Sequence, residues 1–246
     1  MGNIDFPTII PKFDAILSRG LCSGIGEQGK QVCIEAAICE AMGLPHGDEP
    51  ECVATAVRKY KISLNDKNWS SPQARATGLR ALGIAQIGSK GVVGNVEFTK
   101  RLAEKTIHML LPTMFRECFP AVQWAIDAAN RCEADGTVEA ARAAKNAADA
   151  AYTAATATYA ATATAAAYAA YAAAAAYAAA ADAAADAAAA AYAATAADAA
   201  DAAAAAAAAA AYAADAAKSH DKYLNLSASL ALEVLRELKS PGCEWI

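Results

Sequence analysis

After Gly136 the next glycine is Gly242, and after Pro120 the next proline is Pro241, so about a hundred residues run without a strong helix breaker. Inside this stretch, Ala143 to Ala217 is 75 residues long and 54 of them are alanine. Alanine is the best intrinsic helix former, with glycine about 1 and proline about 3 kcal/mol less favourable per residue, so the segment is expected to be helical. One rod of this length would extend ~110 Å at ~1.5 Å per residue. A bundle is the better expectation, because alanine has no long side chain to hold helix axes apart. Helices lined with it can approach to ~8 Å or less and gain dispersion contact along their length. At about 100° per residue, Asp182, Asp186, Asp198 and Asp201 fall on one side and Tyr177 and Tyr192 on the other. This suggests an acidic outer face and a tyrosine-filled inner one.

Composition excludes several classes. The 14 glycines and 8 prolines fit neither collagen nor a Pro-rich disordered chain. Asp and Thr interrupt the alanines often enough that no stretch supplies the ~20 strongly apolar residues of a membrane span. The net charge is −5 and residues 1–135 are balanced at 15 basic and 15 acidic side chains, so a nucleic-acid partner is not expected. No basic start and apolar core of a signal peptide follow Met1, and the seven cysteines are an odd number. A cytoplasmic protein with free thiols is the expectation.

The first 119 residues are punctuated like a set of short helices. Ile9–Leu17 precedes a turn at Gly24, Gly26 and Gly29. Lys30–Met42 carries a wide apolar stripe and stops at Gly43, a C′ glycine, before Pro45. Glu51–Tyr60 repeats apolar residues at three and four. Ser71 reads as an N-cap with Pro72 at the first helical position, opening a helix to Leu82. Gly83–Gly94 shows no pattern, Val96–Arg116 reads as a helix bent at Pro112, and Glu117–Asn130 continues helical until Asp135-Gly136. Thr137 reads as a restart. Leu224, Leu226, Leu230, Leu232, Leu235 and Leu238 form a closing helix expected to pack on the amino-terminal part. The class is therefore all-α: a multi-helix domain over 1–119, then, over 120–246, an Ala-rich close-packed antiparallel bundle with its Leu-rich closing helix.

Chemistry-bearing residues are few. Cys33, Cys39, His46 and Cys52 have zinc-type side chains, but their spacing is not the close-paired one of structural zinc sites. On a helix Cys33 and Cys39 do not share a face. No metal and no cofactor are expected. A Cys/His nucleophilic pair would draw Cys22 or Cys52 and His46 or His108 together, yet no motif does so. Gly83-x4-Gly88-Ser89-Lys90 lacks the order and the preceding strand of a phosphate loop. Arg75, Arg80, Lys90, Lys100, Arg101 and Lys105 give a local basic excess suited to an anionic ligand or acidic partner. The loops offer varied polar groups for a specific ligand: Arg19, Cys22, His46, Asp48, Asn65, Asp66 and Trp69.

Several stretches are familiar: Ser18-Arg19-Gly20-Leu21-Cys22-Ser23-Gly24, Cys33-Ile34-Glu35-Ala36-Ala37-Ile38-Cys39, and Gly43-Leu44-Pro45-His46-Gly47-Asp48 with Cys52. Leu64-Asn65-Asp66, Trp69-Ser70-Ser71 and Ser240-Pro241-Gly242-Cys243-Glu244-Trp245 join them. Over residues 12–119 and the last twenty or so, the chain resembles a group of bacterial, phage and prophage proteins. In that group a helical block precedes an alanine tract of variable length. The resemblance carries no assigned activity and no functional residues. The tract is also similar to Ala-rich immunity proteins of bacterial toxin systems. Its threonines lack the regular spacing of type I antifreeze helices.

Together these readings lead us to expect a non-enzymatic binding protein of mobile-element or phage type, inhibitor- or immunity-like. It would hold a partner protein or a small anionic ligand and could form a homo-oligomer. The alternatives are a self-assembling structural protein that uses the alanine helices as its surface, and a metal- or thiol-dependent enzyme.

Overall fold

The computed structural model describes residues 4–137, 139–147 and 220–246, so the tyrosine and aspartate faces and any turns of the alanine tract lie outside the described residues. The described residues are all-α. Helices α1 (Phe6–Leu17), α2 (Ile34–Met42), α3 (Thr55–Asn65) and α4 (Pro72–Ala85) are followed by α5 (Asn95–Lys105), α6 (Leu111–Cys118), α7 (Gln123–Asp135) and α8 (His220–Glu237). A further helical run occupies 139–147. Among the described residues there is no strand, only isolated bridges from Val32 to Leu21 and Gly26.

Local signals set most helix ends. Ser71 Oγ accepts from Ala74 N at 3.0 Å, with Pro72 at the first position. Gly43 ends α2 in the left-handed region at φ 70°. Two starts differ from the sequence pattern. Helix α2 begins only after Cys33, because Lys30–Val32 are held by the preceding loop. Helix α3 begins after Ala54, whose N–H is taken by Ser89 Oγ at 2.9 Å.

The expected single helix over Val96–Arg116 is interrupted by a π-helical turn at Thr106–Leu110, just before Pro112. Pro112 has no N–H and its ring crowds the carbonyl four residues earlier, and the wider turn just before it absorbs both demands. The helical continuation expected over Glu117–Asn130 breaks at Phe119–Val122, where Pro120 removes a donor. Helix α7 stops at Gly136 with φ 59°, and Thr137 Oγ1 accepts from Ala140 N at 3.2 Å at the restart.

Among the described residues one apolar core runs through α1 to α8 and the helical run 139–147. Helices α1, α2 and α4 meet at Gly83, where an added Cβ would lie 2.7 Å from Phe13 Cζ and 3.1 Å from Ile34 Cδ1. Helix α8 crosses α4 at Gly78, where a Cβ would lie 2.5 Å from both Asn225 Oδ1 and the Trp69 ring. As expected, α8 packs on the amino-terminal part: Tyr223, Leu224, Leu230, Val234 and Leu235 are buried. The Tyr60 hydroxyl donates to the Ser227 carbonyl at 2.9 Å. Phe115 and Phe119 pack on Trp124, so the described residues on the two sides of 119/120 share this core. A 3-10 turn at Pro241–Trp245 seats Gly242 on the end of α4, where its N–H donates to Ile87 O at 3.2 Å, and stacks Trp245 on Phe6.

Candidate functional site

Between α1 and α2 the chain makes a glycine-rich loop, residues 20–33. Gly24 and Gly26 take φ of 68° and 74°, a region where side chains carrying Cβ are strained. At Gly26 a Cβ would also lie 2.3 Å from the Gln31 carbonyl, so the loop closes tightly on itself. Cys22 N donates to Val32 O, Glu27 N to Gln31 O and Cys33 N to Ile25 O, at 3.1, 3.2 and 3.2 Å.

Side chains from distant parts of the sequence brace this loop. Asn65, fully buried at the end of α3, donates to Cys22 O at 2.9 Å and accepts from Ile34 N at 3.3 Å. Asp66 Oδ1 accepts from Gly24 N at 2.8 Å. Arg75, buried in α4, donates to Leu21 O at 2.8 Å and Lys67 O at 3.2 Å. Arg19 donates to Lys30 O at 3.2 Å and pairs with Glu40 at 2.7 Å. His46 Nε2 faces Gly26 O at 3.3 Å, and since a carbonyl only accepts, that nitrogen carries the proton. The outer surface of the loop, Ser23 to Gln31, is exposed, and Ile25 at its tip is 42% exposed.

Of the seven residues singled out in the sequence, Arg19, Cys22, His46, Asn65 and Asp66 thus meet around one loop. Their polar atoms face its backbone. Trp69 is buried beside them, its Nε1 donating to Leu64 O at 3.0 Å. Asp48 stands apart, half-buried after α2, where its charge acts on Glu35 and Cys39.

The basic excess of residues 75–105 is partly neutralised, mostly by acids remote in sequence. Arg80 pairs with Asp14 at 2.6 Å. Arg101 pairs with Glu97 at 2.6 Å and Glu237 at 3.2 Å, and Lys105 with Glu233 at 3.1 Å and Glu237 at 2.9 Å. Arg75 lies in the core rather than on a surface. Among the described residues burial pushes the thiols of Cys33 and Cys39 up to about 11 and that of Cys132 up to about 12, so each of these three stays protonated at neutral pH. His46 and His108 face backbone carbonyls, His108 Nδ1 that of Glu133 at 3.0 Å. Among the described residues no group of three or more His, Cys, Asp or Glu side chains is arranged to hold a metal ion.

Beneath the loop lies a buried charge centre that the sequence reading missed. Glu35 of α2, Lys61 of α3 and Gln86 at the end of α4 have no solvent exposure. Lys61 Nζ lies 3.2 Å from Glu35 Oε1, and Gln86 Nε2 donates to Glu35 Oε2 at 2.8 Å. Burial raises the Glu35 carboxyl to about 7 against the opposing pull of Lys61, and burial lowers the Lys61 ammonium against that of Glu35. The signal was present: Lys61 completes the stripe Val57, Tyr60, Lys61, Leu64, and Glu35 sits among Ile34, Ala36, Ala37 and Ile38.

Comparison with protein-family models, with curated proteins and with solved structures finds no match. Among the described residues no helix is long and apolar enough to cross a membrane.

Proposed function

We propose that this chain is a non-enzymatic binding protein, inhibitor- or immunity-like, whose helical head presents the loop 22–31 to a partner protein. The observation that carries this reading is the bracing of an exposed loop by Asn65, Asp66, Arg75, Arg19 and His46. A mere connection needs no such support, whereas a loop ordered in advance avoids much of the entropy loss of association. Ile25 offers an apolar anchor, and exposed Glu27, Gln28 and Lys30 form a polar surround. A partner protein fits better than a small anion, because the Arg19 and Arg75 guanidinium groups are turned inward onto carbonyls and Glu40. The mobile-element or phage setting rests on the sequence resemblance alone.

The test is site-specific photo-crosslinking in the source cells, with the reactive residue at position 25 or, as a control, at Thr77 on the exposed face of α4. One defined adduct is expected from position 25, none from position 77, and none when Asp66→Ala releases Gly24. Equal capture from both positions, or an adduct that survives Asp66→Ala, assigns recognition to another surface, with the alanine tract first among the alternatives.

A further inference from the structure

The centre formed by Glu35, Lys61 and Gln86 has more hydrogen-bonding capacity than its members use on one another. Lys61 Nζ, Glu35 Oε1 and Gln86 Oε1 are all buried, and among the described residues none has a hydrogen-bond partner of good geometry. Lys61 Nζ and Glu35 Oε1 form an ion pair at 3.2 Å, which leaves further donors of the ammonium unused. An ammonium group carries three N–H donors and no acceptor, and the two oxygens only accept. Neighbouring groups are committed elsewhere, apart from the buried Arg58 Nε, which also lacks a hydrogen-bond partner among the described residues. Cys33 Sγ accepts from Ala36 N at 3.4 Å, Cys52 Sγ points to Met42 Sδ at 3.7 Å, and Arg58 pairs with Glu49 at 2.9 Å.

We propose that this centre is a binding site for one internal water molecule, which accepts from Lys61 Nζ and donates to Glu35 Oε1 and Gln86 Oε1. The chemistry selects the guest. It must offer an acceptor to the ammonium and two donors to the oxygens within one small neutral species. A metal cation accepts nothing from Lys61 and is repelled by it. A simple anion such as chloride donates nothing to the two oxygens. An apolar group satisfies none of the three. Water meets all three demands at once, and three hydrogen bonds is the usual number for a buried water. In this position it ties α2, α3 and α4 together through one oxygen and places a dipole against both charges, which eases their removal from bulk solvent.

The experiment uses the full chain. Crystals diffracting to atomic resolution are expected to show a solvent oxygen about 2.7–3.2 Å from all three atoms. Nuclear Overhauser spectra of ¹⁵N-labelled protein are expected to show a long-lived water cross-peak at the Gln86 side-chain amide. That cross-peak should disappear in the double variant Glu35→Leu/Lys61→Met, which retains the amide. A direct Lys61 to Gln86 Oε1 hydrogen bond with no solvent peak overturns the proposal, as does density whose coordination is that of an ion. A cross-peak that persists in the double variant also overturns it. The wild-type crystal decides the matter even where the double variant does not fold.

Discussion

Two sets of ion pairs with the same chemistry and similar distances occupy opposite environments in this head. Glu35 and Lys61 lie 3.2 Å apart with no exposure of either side chain. Lys105 meets Glu233 and Glu237 at 3.1 and 2.9 Å, with Glu237 still 40% exposed. Distance alone would rank the surface cluster as the stronger. What separates the two is the cost of leaving water, which the buried pair bears in full and the surface cluster only in part. A buried pair can therefore be nearly neutral in net worth and still be indispensable, because removing one member leaves the other without its counter-charge in an apolar interior, where it must stay charged at a cost or change its protonation state. The surface pairs tie α5 to α8, yet each is dispensable.

This contrast can be broken in three ways. The largest effect is expected from single substitutions in the buried pair: Glu35→Ala or Lys61→Ala should each lower the unfolding free energy by roughly 3–5 kcal/mol in denaturant titrations. The double change Glu35→Leu/Lys61→Met should come close to wild type or above it. A double variant as weak as the singles would show that the pair stabilises outright. Next in size is the pH dependence. The Glu35 carboxyl is raised from its ordinary range to about 7, so between pH ~4.5 and ~7 the native state holds a proton that the unfolded chain has released. The contribution of this group is fully present below the unfolded value and is lost as pH rises through about 7. Relative to Glu35→Gln, the wild type should thus lose stability as pH rises across that window. Glu237 is held below the ordinary range by its hydrogen bond to Lys105, with Arg101 adding to it, so its smaller contribution has the opposite slope and is lost as pH falls. Parallel stability curves for wild type and Glu35→Gln would remove the premise. The smallest effect belongs to Lys105→Ala, expected to cost no more than ~1 kcal/mol and to vanish at high salt. A loss comparable to that of Lys61→Ala would erase the distinction between the two environments.

The features legible in the sequence were those decided within a few residues. The Ser71-Pro72 start, the Gly43 stop and the leucine pattern of α8 each depend on local geometry and were read correctly. The π turn at Thr106–Leu110 was not, because its residues carry an ordinary helical pattern and only the accommodation of Pro112 distinguishes them. The polar groups around the loop between α1 and α2 are legible in the sequence, but the direction they face is not. Asn65 reaches Ile34 across 31 residues and Arg75 reaches Leu21 across 54. The surface charges posed the same difficulty: Arg80 finds Asp14 at a separation of 66 residues and Lys105 finds Glu233 at 128. Charge counted along the chain therefore indicates a basic patch where the fold pairs Arg80, Arg101 and Lys105 with acids and buries Arg75.

The seating of α8 in the core also governs how the chain is completed. Tyr223, Leu224, Leu230 and Leu235 fill an interior whose other walls were laid down by residues 6–132, so the head is sealed only when the last segment arrives. On a ribosome, the earlier helices must wait with that groove open until everything between them and α8 has been synthesised, an interval in which a holding factor would have apolar surface to grip. Thermodynamically the wait is cheap. The entropy of bringing the two ends of an intervening segment together in the unfolded chain grows only with the logarithm of its length, about 0.6 kcal/mol for each doubling. On this closure term alone, the number of residues between 147 and 220 weighs little on the stability of the head.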